Sequence, residues 1–385
     1  MTRKEEIERL DNAIEECKLF QFRPKEHVCL TNPLTRQELL LNTARSKRHF
    51  ETRGDGAKTG VTPIHKCMYC NFQTTPTLFY VYEDGNIVFP DYDPALHGRN
   101  KFKEENTLEE MNDYYKMVEY IAPSNRLEGD WLCRVFLNLT PAIVRNNSKA
   151  NCFLIAAHPG FHYSEICDLP EFILGAVIEA MKLLADWANE NGLVLNPFYN
   201  GGKSLASGQS VDCLHFQVYA LPEIPQLYGA LKERWKHGYC SVCEFLKTQS
   251  DCLISFEWAF GIYVHPYPEY NFTWLITEKE YCTTSSVGPI EKHFNQVDSR
   301  GLAQALKKAV SFYPLLFGTM PAYNILFRLP EYVGHFHVEI IPRTNTNIIA
   351  GCELNTKTIV ITQDPRDVAV AIKEEAEKKG IKLRG

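Results

Sequence analysis

Two segments of the chain repeat one another, and this repeat restricts the possible folds more than any other feature of the sequence. LHFQVYALP, Leu214–Pro222, is followed 120 positions later by GHFHVEIIP, Gly334–Pro342, with His, Phe, Val and Pro in the same register. Alternating apolar residues in both segments predict strands that each bury one face. The repeat aligns His215 with His335 and predicts an internal duplication.

The segments around the repeat also predict two similar halves. In the first half, β-rich runs flank Asp84-Gly85, a hairpin signal, and are followed by strands, a long helix over Pro170–Gly192 and the strand VLNPFYN. In the second half, strands precede a helix in SRGLAQALKKAVSFY and a strand in AYNILFRL. KTIVITQ predicts one more strand, and Asp364-Pro365 opens a C-terminal helix. This order predicts an α+β fold, with helices packed on largely antiparallel sheet.

The length and composition fit a folded chain with two units. The 385 residues are 45% hydrophobic, which is enough for a sizeable core. The predicted boundaries are 1–76 for an N-terminal helix and extended arm carrying a CxxC pair, 77–236 for the first half and 237–385 for the second.

Charge and cysteine content exclude several classes of protein. A net charge of −6 argues against a general nucleic-acid binder, which needs a broad basic face. No apolar run approaches the roughly 18 residues that span a membrane, and the N-terminus predicts an amphipathic helix and not a signal peptide. Thirteen scattered cysteines predict reduced thiols or metal ligands. The expected location is the cytoplasm.

CMYC, with Cys67 and Cys70, is a candidate zinc motif. Two thiolates separated by two residues can bind one tetrahedral zinc ion, and two further ligands must come from elsewhere in the chain. The candidates are His158, His162 and Cys213. The alternative is that these cysteines are buried, unliganded core residues.

SVDCLHFQ, which begins at Ser210, is a candidate reaction site. Strand alternation places Cys213, His215 and Gln217 on one face, where three polar side chains need partners. A phosphate held by the preceding Gly/Ser-rich loop, with Ser210 and Gln217 donating hydrogen bonds, would supply them. A neutral imidazole aimed at phosphorus is a competent nucleophile. The alternative is a structural histidine in a buried strand.

Several segments together resemble a known family. They are NPLT followed by ARSKRHF, the CMYC pair, HPGFHYSEICDLP before a long helix, and the His215–Gln217 strand. The chain resembles, over most of its length, the galactose-1-phosphate uridylyltransferase (GalT) branch of the histidine-triad (HIT) superfamily, which includes nucleotide-sugar phosphorylases. The resemblance implies two HIT-like halves.

The resemblance also assigns roles to residues. It implies His215 as nucleophile with Gln217 and Ser210 as catalytic partners, a structural zinc site, and a substrate site. The zinc ligands would be Cys67, Cys70, His162 and Cys213, and the substrate-binding residues Arg45, Arg48, Gly208 and Glu353. Some family members hold a second metal through a histidine on the strand before the second HxH pair. Arg328 occupies that region here, so no second metal is expected near His335 and His337.

The implied activity is nucleotidyl transfer. A nucleoside monophosphate would move from a nucleoside diphosphate hexose to a hexose 1-phosphate through a covalent nucleotidyl-His215, and the family's habit of completing the site across a dimer implies a homodimer. Hydrolase branches usually carry a third histidine at the position of Gln217, so the glutamine favours transfer to a phosphate acceptor. The alternatives are a nucleotide-sugar or dinucleoside polyphosphate phosphorylase that uses inorganic phosphate, and a non-catalytic nucleotide-binding protein.

Overall fold

The computed structural model of the protein describes most of the core and part of the N-terminal region. The described residues are 1–18, 21, 28–31, 38–41, 64, 67–72, 74–90, 129–139, 141–143, 149–162, 165–202, 205–209, 211, 213–224, 226–279, 284–285, 288–289, 293–344, 356 and 358–384. For 28–31, 38–41, 205, 226–227, 230, 284–285, 288–289 and 332–333 it describes the backbone alone.

Most of the strands belong to one large sheet. In chain order the strands are β1 (Val28–Thr31), β2 (Glu38–Leu41), β3 (Thr77–Tyr82), β4 (Ile87–Val88), β5 (Trp131–Leu137), β6 (Asn151–Ala157), β7 (Val194–Gly201), β8 (His215–Leu221), β9 (Leu253–Glu257), β10 (Phe260–Val264), β11 (Trp274–Glu278), β12 (Thr284–Ser285), β13 (Gly288–Pro289), β14 (Tyr323–Arg328) and β15 (His337–Pro342). In the described part of the chain, eleven strands form a sheet in the order β4-β3-β5-β6-β8-β7-β14-β15-β11-β10-β9. Every neighbouring pair in it is antiparallel.

The sheet order contains the same arrangement twice. In the first half, β3, β5 and β6 form a meander, and the last strand, β8, is inserted between β6 and β7. In the second half, β9, β10 and β11 form the meander, and β15 is inserted between β11 and β14. The two halves join where β7 pairs with β14. The predicted internal duplication is confirmed, and the copies meet around an approximate two-fold axis.

The strand register corrects the alignment of the two histidines. His215 pairs with Ala156 on the third strand of the first half, and His337 pairs with Thr277 on the third strand of the second half. In both copies the imidazole Nδ1 lies against the carbonyl oxygen of the residue two positions before it, and that residue, Cys213 or His335, belongs to a group of cysteine and histidine donors. The structural copy of His215 is therefore His337, and the alignment with His335 was wrong by two residues. A shift of two leaves every side chain on the same face, so the alternating pattern cannot detect it.

The helices follow the predicted pattern. They are α1 (Arg3–Cys17), α2 (Glu171–Glu190), α3 (Gln226–Lys236), α4 (Ser241–Thr248), α5 (Ser299–Ser311), α6 (Tyr313–Phe317), α7 (Pro330–Val333) and α8 (Pro365–Lys378). Thr2 and Glu5 form a capping box at the start of α1, and α1 buries the predicted face with Ile7, Leu10 and Ile14. None of the helices that the structure describes could cross a membrane.

One face of the sheet is covered by helices and the other carries the polar side chains. The long helices α2 and α5 pack against each other and share a core with the sheet. On β8 that core contains Phe216, Val218 and Ala220. The residues between them face the opposite side, as strand alternation predicts. On β5, β6 and β8 that opposite side carries Arg134, His215 and Gln217 together with the apolar Phe136, Leu154 and Ala156.

The prediction of a strand in KTIVITQ is wrong. Residues 358–362 make no ladder with a described strand, and Ile359 and Val360 are exposed. The side-chain oxygen of Asn271 accepts the backbone N–H groups of Thr362 and Gln363, at 3.0 and 3.2 Å. A side chain therefore supplies hydrogen bonds that a neighbouring strand would otherwise provide.

Candidate active site and metal clusters

His215 is held in one orientation by the residue two positions before it. Its Nδ1 lies 2.8 Å from the main-chain carbonyl oxygen of Cys213. A carbonyl oxygen can only accept, so Nδ1 carries the proton and Nε2 keeps the lone pair. The Tyr69 ring meets the imidazole edge-on, with the ring centroids 4.8 Å apart. His215 is buried, and Gln217 beside it on the same face is half-buried.

The loop before β8 is braced by the second half of the chain. A short 3-10 turn, Leu205–Ser207, leads to Gly208, whose φ of +83° is the left-handed conformation that favours glycine. Asn324 of β14 donates through Nδ2 to the Ser207 carbonyl at 2.8 Å and to Asn200 Oδ1 at 2.7 Å. Sequence reasoning missed Asn200 and Asn324, because they lie on two strands that meet at the junction of the halves.

Some of the predicted site residues lie outside the described residues. They are Ser210, Arg45, Arg48 and Glu353. Their assigned roles stay predictions, as do the domain boundaries and the homodimer. Gly208 is described, and its conformation suits a tight phosphate-facing loop.

The first cysteine–histidine cluster brings together the four residues expected as zinc ligands. One donor atom from each of Cys67, Cys70, His162 and Cys213 lies within 4.8 Å of all the others. Cys70 Sγ lies 3.1 Å from His162 Nδ1 and 3.8 Å from Cys213 Sγ. Three sulfurs and one imidazole nitrogen match the donor set of a structural zinc site.

His158, the alternative histidine ligand, has another role. Its Nδ1 accepts the backbone N–H of Gly160 at 3.0 Å and so caps the turn Pro159–Phe161. Its ring also packs against Trp131, with centroids 4.4 Å apart. The turn that His158 caps carries the chain to His162, which is the histidine at the cluster.

The first cluster favours negative charge on one of its sulfurs, that of Cys67. Hydrogen bonds from Cys213 and Cys70 hold the pKa of Cys67 well below its usual value, and the same contacts raise the pKa of Cys213. Hydrogen bonds to Cys67 and Cys70 raise the pKa of His162 to about 10. A divalent cation would be stabilised by this charge, because thiolates are the form of cysteine that binds metal.

A second cluster of the same kind was not predicted. Donor atoms of Cys240, Cys243 and His335 also lie within 4.8 Å of one another, and Cys243 Sγ is 3.2 Å from His335 Nδ1. The available signal was a second CxxC, CSVC, in the sequence. The described residues of the second half therefore also include a group of donors that could hold a metal, and two of these donors are cysteines.

The second half contains an altered copy of the candidate reaction site. His337 Nδ1 lies 2.9 Å from the His335 carbonyl oxygen, and His215 Nδ1 lies 2.8 Å from the Cys213 carbonyl oxygen in the same way. At the position of Gln217 stands Glu339, which pairs with Arg328 at 2.6 Å. Arg328, His337 and Glu339 line a cavity of about 480 Å³. A carboxylate beside this histidine would repel a phosphate, so the first half is the better candidate for phosphate chemistry.

Comparisons with known proteins agree with this architecture. No protein-family model matches the chain, and no curated protein sequence matches it significantly. An ADP-glucose phosphorylase from Arabidopsis thaliana, solved with bound ADP-glucose, is similar in structure with a TM-score of 0.57 and 20% identity, over 91% of this chain and 99% of that chain. A GalT-like protein from Arabidopsis thaliana has a TM-score of 0.56 and 21% identity, and the match covers 80% of this chain and 91% of that chain. A uridylyltransferase mutant has a TM-score of 0.54 and 20% identity, and the match covers 67% of this chain and 90% of that chain.

The comparisons confirm the predicted fold class. The chain shares its α+β fold of two similar halves with the ADP-glucose phosphorylase, the GalT-like protein and the uridylyltransferase mutant.

Proposed function

We propose that the protein is a nucleotidyltransferase that transfers a nucleoside monophosphate from a nucleoside diphosphate hexose to a phosphate-bearing acceptor through a covalent nucleotidyl-His215. The hydrogen bond between His215 Nδ1 and the Cys213 carbonyl carries this proposal, since it leaves the nucleophilic lone pair on Nε2. The neighbouring Gln217 offers an amide donor on the same face of β8.

The first step forms a bond between Nε2 of His215 and the α-phosphorus. The bond from phosphorus to the bridging oxygen breaks, and its electron pair leaves with hexose 1-phosphate. The imidazole then carries positive charge, which the Cys213 carbonyl stabilises through the Nδ1 proton. In the second step an acceptor phosphate oxygen attacks the same phosphorus, and the electron pair of the P–N bond returns to Nε2.

Gln217 and the loop would stabilise the transition state. An amide N–H directed at a non-bridging oxygen that gains charge commonly contributes about 2.7 to 4 kcal/mol. The loop at Gly208 is positioned by Asn324, so backbone N–H groups there are candidates for the same role. Ser210, Arg45, Arg48 and Glu353 would complete the site as the family resemblance implies.

Zinc is the metal that suits the first cluster, and Cys67, Cys70, His162 and Cys213 would hold it. Bound there, zinc would supply structural cross-linking and no chemistry of the transfer. Because Cys213 also orients His215, the order of the cluster would be transmitted to the nucleophile. We propose that Cys240, Cys243 and His335 hold a second metal ion.

A second candidate function is phosphorolysis, in which inorganic phosphate is the acceptor in place of hexose 1-phosphate. The observation that favours it is the similarity to an ADP-glucose phosphorylase over nearly the whole length of both chains. The uridylyltransferase mutant covers a smaller share of this chain. Both reactions pass through the same nucleotidyl-histidine and differ in the second step.

Intact mass spectrometry tests the proposal. The protein is mixed with single nucleoside diphosphate sugars and dinucleoside polyphosphates, and an acid-labile mass increase of one nucleoside monophosphate identifies the donor. Isolated adduct is then offered hexose 1-phosphate or inorganic phosphate, and the acceptor that discharges it identifies the reaction.

Each outcome separates the alternatives. An adduct present in the wild type and lost in His215→Ala supports the covalent mechanism. Binding of nucleotide without any adduct across the panel would overturn it in favour of a non-catalytic nucleotide-binding protein. Discharge by water alone would indicate a hydrolase.

A further inference from the structure

Arg134 is a buried cation surrounded by neutral groups. It lies in the middle of β5 with 1% of its surface exposed. Its Nη2 donates to the Tyr69 carbonyl at 2.8 Å, and its Nη1 donates to the hydroxyls of Thr74 and Thr77 at 3.1 and 3.2 Å. In the described part of the chain, no carboxylate forms an ion pair with it. An unpaired buried charge is strongly destabilising, so a compensating anion is expected.

Aromatic rings contribute part of the compensation. The guanidinium carbon lies 4.2 Å from the ring centroid of Phe72 and 4.2 Å from that of Phe136. Cation–π contacts stabilise a desolvated cation by less than the cost of burying its charge. A full negative charge close by is still needed.

The first cysteine cluster is the candidate source of this negative charge. Arg134 binds the carbonyl of Tyr69, which lies inside the Cys67–Cys70 turn. Burial lowers the pKa of Arg134 to about 10, while attraction from Tyr80 and from Cys213, Cys70 and Cys67 opposes that decrease. The strand register places Arg134, Ala156 and His215 in one row across β5, β6 and β8.

The charge of the cluster matches that of the arginine. A zinc ion with three thiolates and one neutral imidazole carries one net negative charge, and the guanidinium carries one positive charge. A site with two cysteines and two histidines would be neutral. A positive counter-charge is therefore needed to neutralise the site only where the third sulfur, that of Cys213, is present.

The second half gives an internal comparison. Thr277 lies between Gly261 and His337 in the sheet, as Ala156 lies between Arg134 and His215. Gly261 is thus the counterpart of Arg134, and a Cβ there would meet the Tyr263 ring at 2.5 Å. Among the described donors, the second cluster has His335 in place of the third thiolate. The half with fewer thiolates lacks the cation.

We propose that Arg134 is the positioning residue and counter-charge of the first metal cluster: it neutralises the third thiolate, that of Cys213, and fixes the Cys67–Cys70 turn. This inference rests on the proposed zinc site. It assigns a pairing of residue types, with a cysteine at 213 requiring a cation at 134 and a histidine at 213 removing that requirement.

A double-mutant cycle tests the pairing. Wild type, Arg134→Met, Cys213→His and the double variant are loaded with zinc and then titrated with a chelator. Alkylation mapped by peptide mass spectrometry gives the chelator concentration at which half of Cys67 and Cys70 becomes reactive. This readout reports the first cluster alone, so a metal in the second half does not interfere. Circular dichroism checks the fold of each variant.

We expect Arg134→Met to lower that chelator concentration at least tenfold in the wild-type background and less than threefold in the Cys213→His background. Arg134→Lys keeps the charge and loses the planar set of guanidinium donors, so its chelator concentration should lie between those of Arg134→Met and wild type. Lys182→Met is the matched control, since it removes a buried cation that pairs with Glu179 on α2. It should leave the value unchanged.

Several results would overturn the inference. One is an equal effect of Arg134→Met in both backgrounds, and another is no effect in either. If Arg134→Met fails to fold, recovery of folding in the double variant supports the pairing, and failure of both variants refutes it. If zinc never protects Cys67 and Cys70 in the wild type, the zinc site itself is wrong, which is a different result from a zinc site that is indifferent to Arg134.

Discussion

His215 and Cys213 are joined by a 2.8 Å hydrogen bond from the imidazole Nδ1 to the main-chain carbonyl oxygen, while the Cys213 sulfur points into the first cluster. One residue therefore contacts the candidate nucleophile through its backbone and the candidate metal through its side chain. Displacing Cys213 would change the direction of Nε2. This link and the contacts around it lead to four expected outcomes.

His215→Ala should abolish formation of the nucleotidyl adduct and lower transfer activity by at least about 10³-fold, because removal of a nucleophile leaves only binding and electrostatic catalysis. The measurement is adduct mass together with steady-state transfer. His337→Ala is the matched control, since His337 is the structural copy with the same backbone hydrogen bond. Equal loss in both variants would contradict the assignment of His215.

Gln217→Glu should be more damaging than Gln217→Ala. Alanine removes one donor, at a cost of about 10²–10³ in the rate of adduct formation, whereas glutamate adds a charge that repels the phosphate. Glu339 shows the same substitution in the second half, where Arg328 neutralises it. Single-turnover rates of adduct formation in the two variants and the wild type test this order of activity. A glutamate variant as fast as wild type would show that Gln217 does not face the phosphate.

Cys67→Ser and Cys213→Ser should each lose the zinc of the first cluster and lower the melting temperature. Thiolates bind zinc far better than a hydroxyl, and the metal cross-links distant segments. Metal analysis and thermal unfolding are the measurements. Cys167→Ser, at a half-buried cysteine outside both clusters, is the control. Full zinc in both cluster variants would refute the site.

Asn324→Ala should raise the KM for the nucleotide sugar by about tenfold, because the loop at Ser207 would lose the donor that braces it. Asn324→Asp should behave similarly, since aspartate keeps the shape and lacks the N–H₂ group. Asn196→Ala, in which an asparagine of β7 bonds the Val194 carbonyl, is the control. An unchanged KM in both Asn324 variants would show that the loop does not need this brace.

The local sequence predicted the first half of the site well. Alternation along β8 placed Cys213, His215 and Gln217 on one face, because a buried strand shows its burial in its own sequence. His162 and His158 could not be separated on spacing. The choice depends on a capping hydrogen bond to Gly160, which is a property of the folded turn.

The second half was predicted less well. The repeat aligned His215 with His335, two residues from its structural copy. The family resemblance pointed to a metal ligand on the strand before His335, whereas the donors Cys240 and Cys243 lie at the start of α4. The bracing by Asn324 depends on β7 pairing with β14, a contact between residues more than one hundred positions apart. Such contacts are set by packing of the two halves and leave no periodic signal in either strand.

The pairing of β7 with β14 joins two similar units of one polypeptide into a single sheet. Two identical subunits meeting at the same seam would have to carry the same residue at every equivalent place. A single chain is free of that restriction, so one unit can keep glutamine beside its histidine while the other takes glutamate. Covalent linkage thus permits the two units to diverge, so that one can keep the residues proposed for phosphate chemistry while the other changes them.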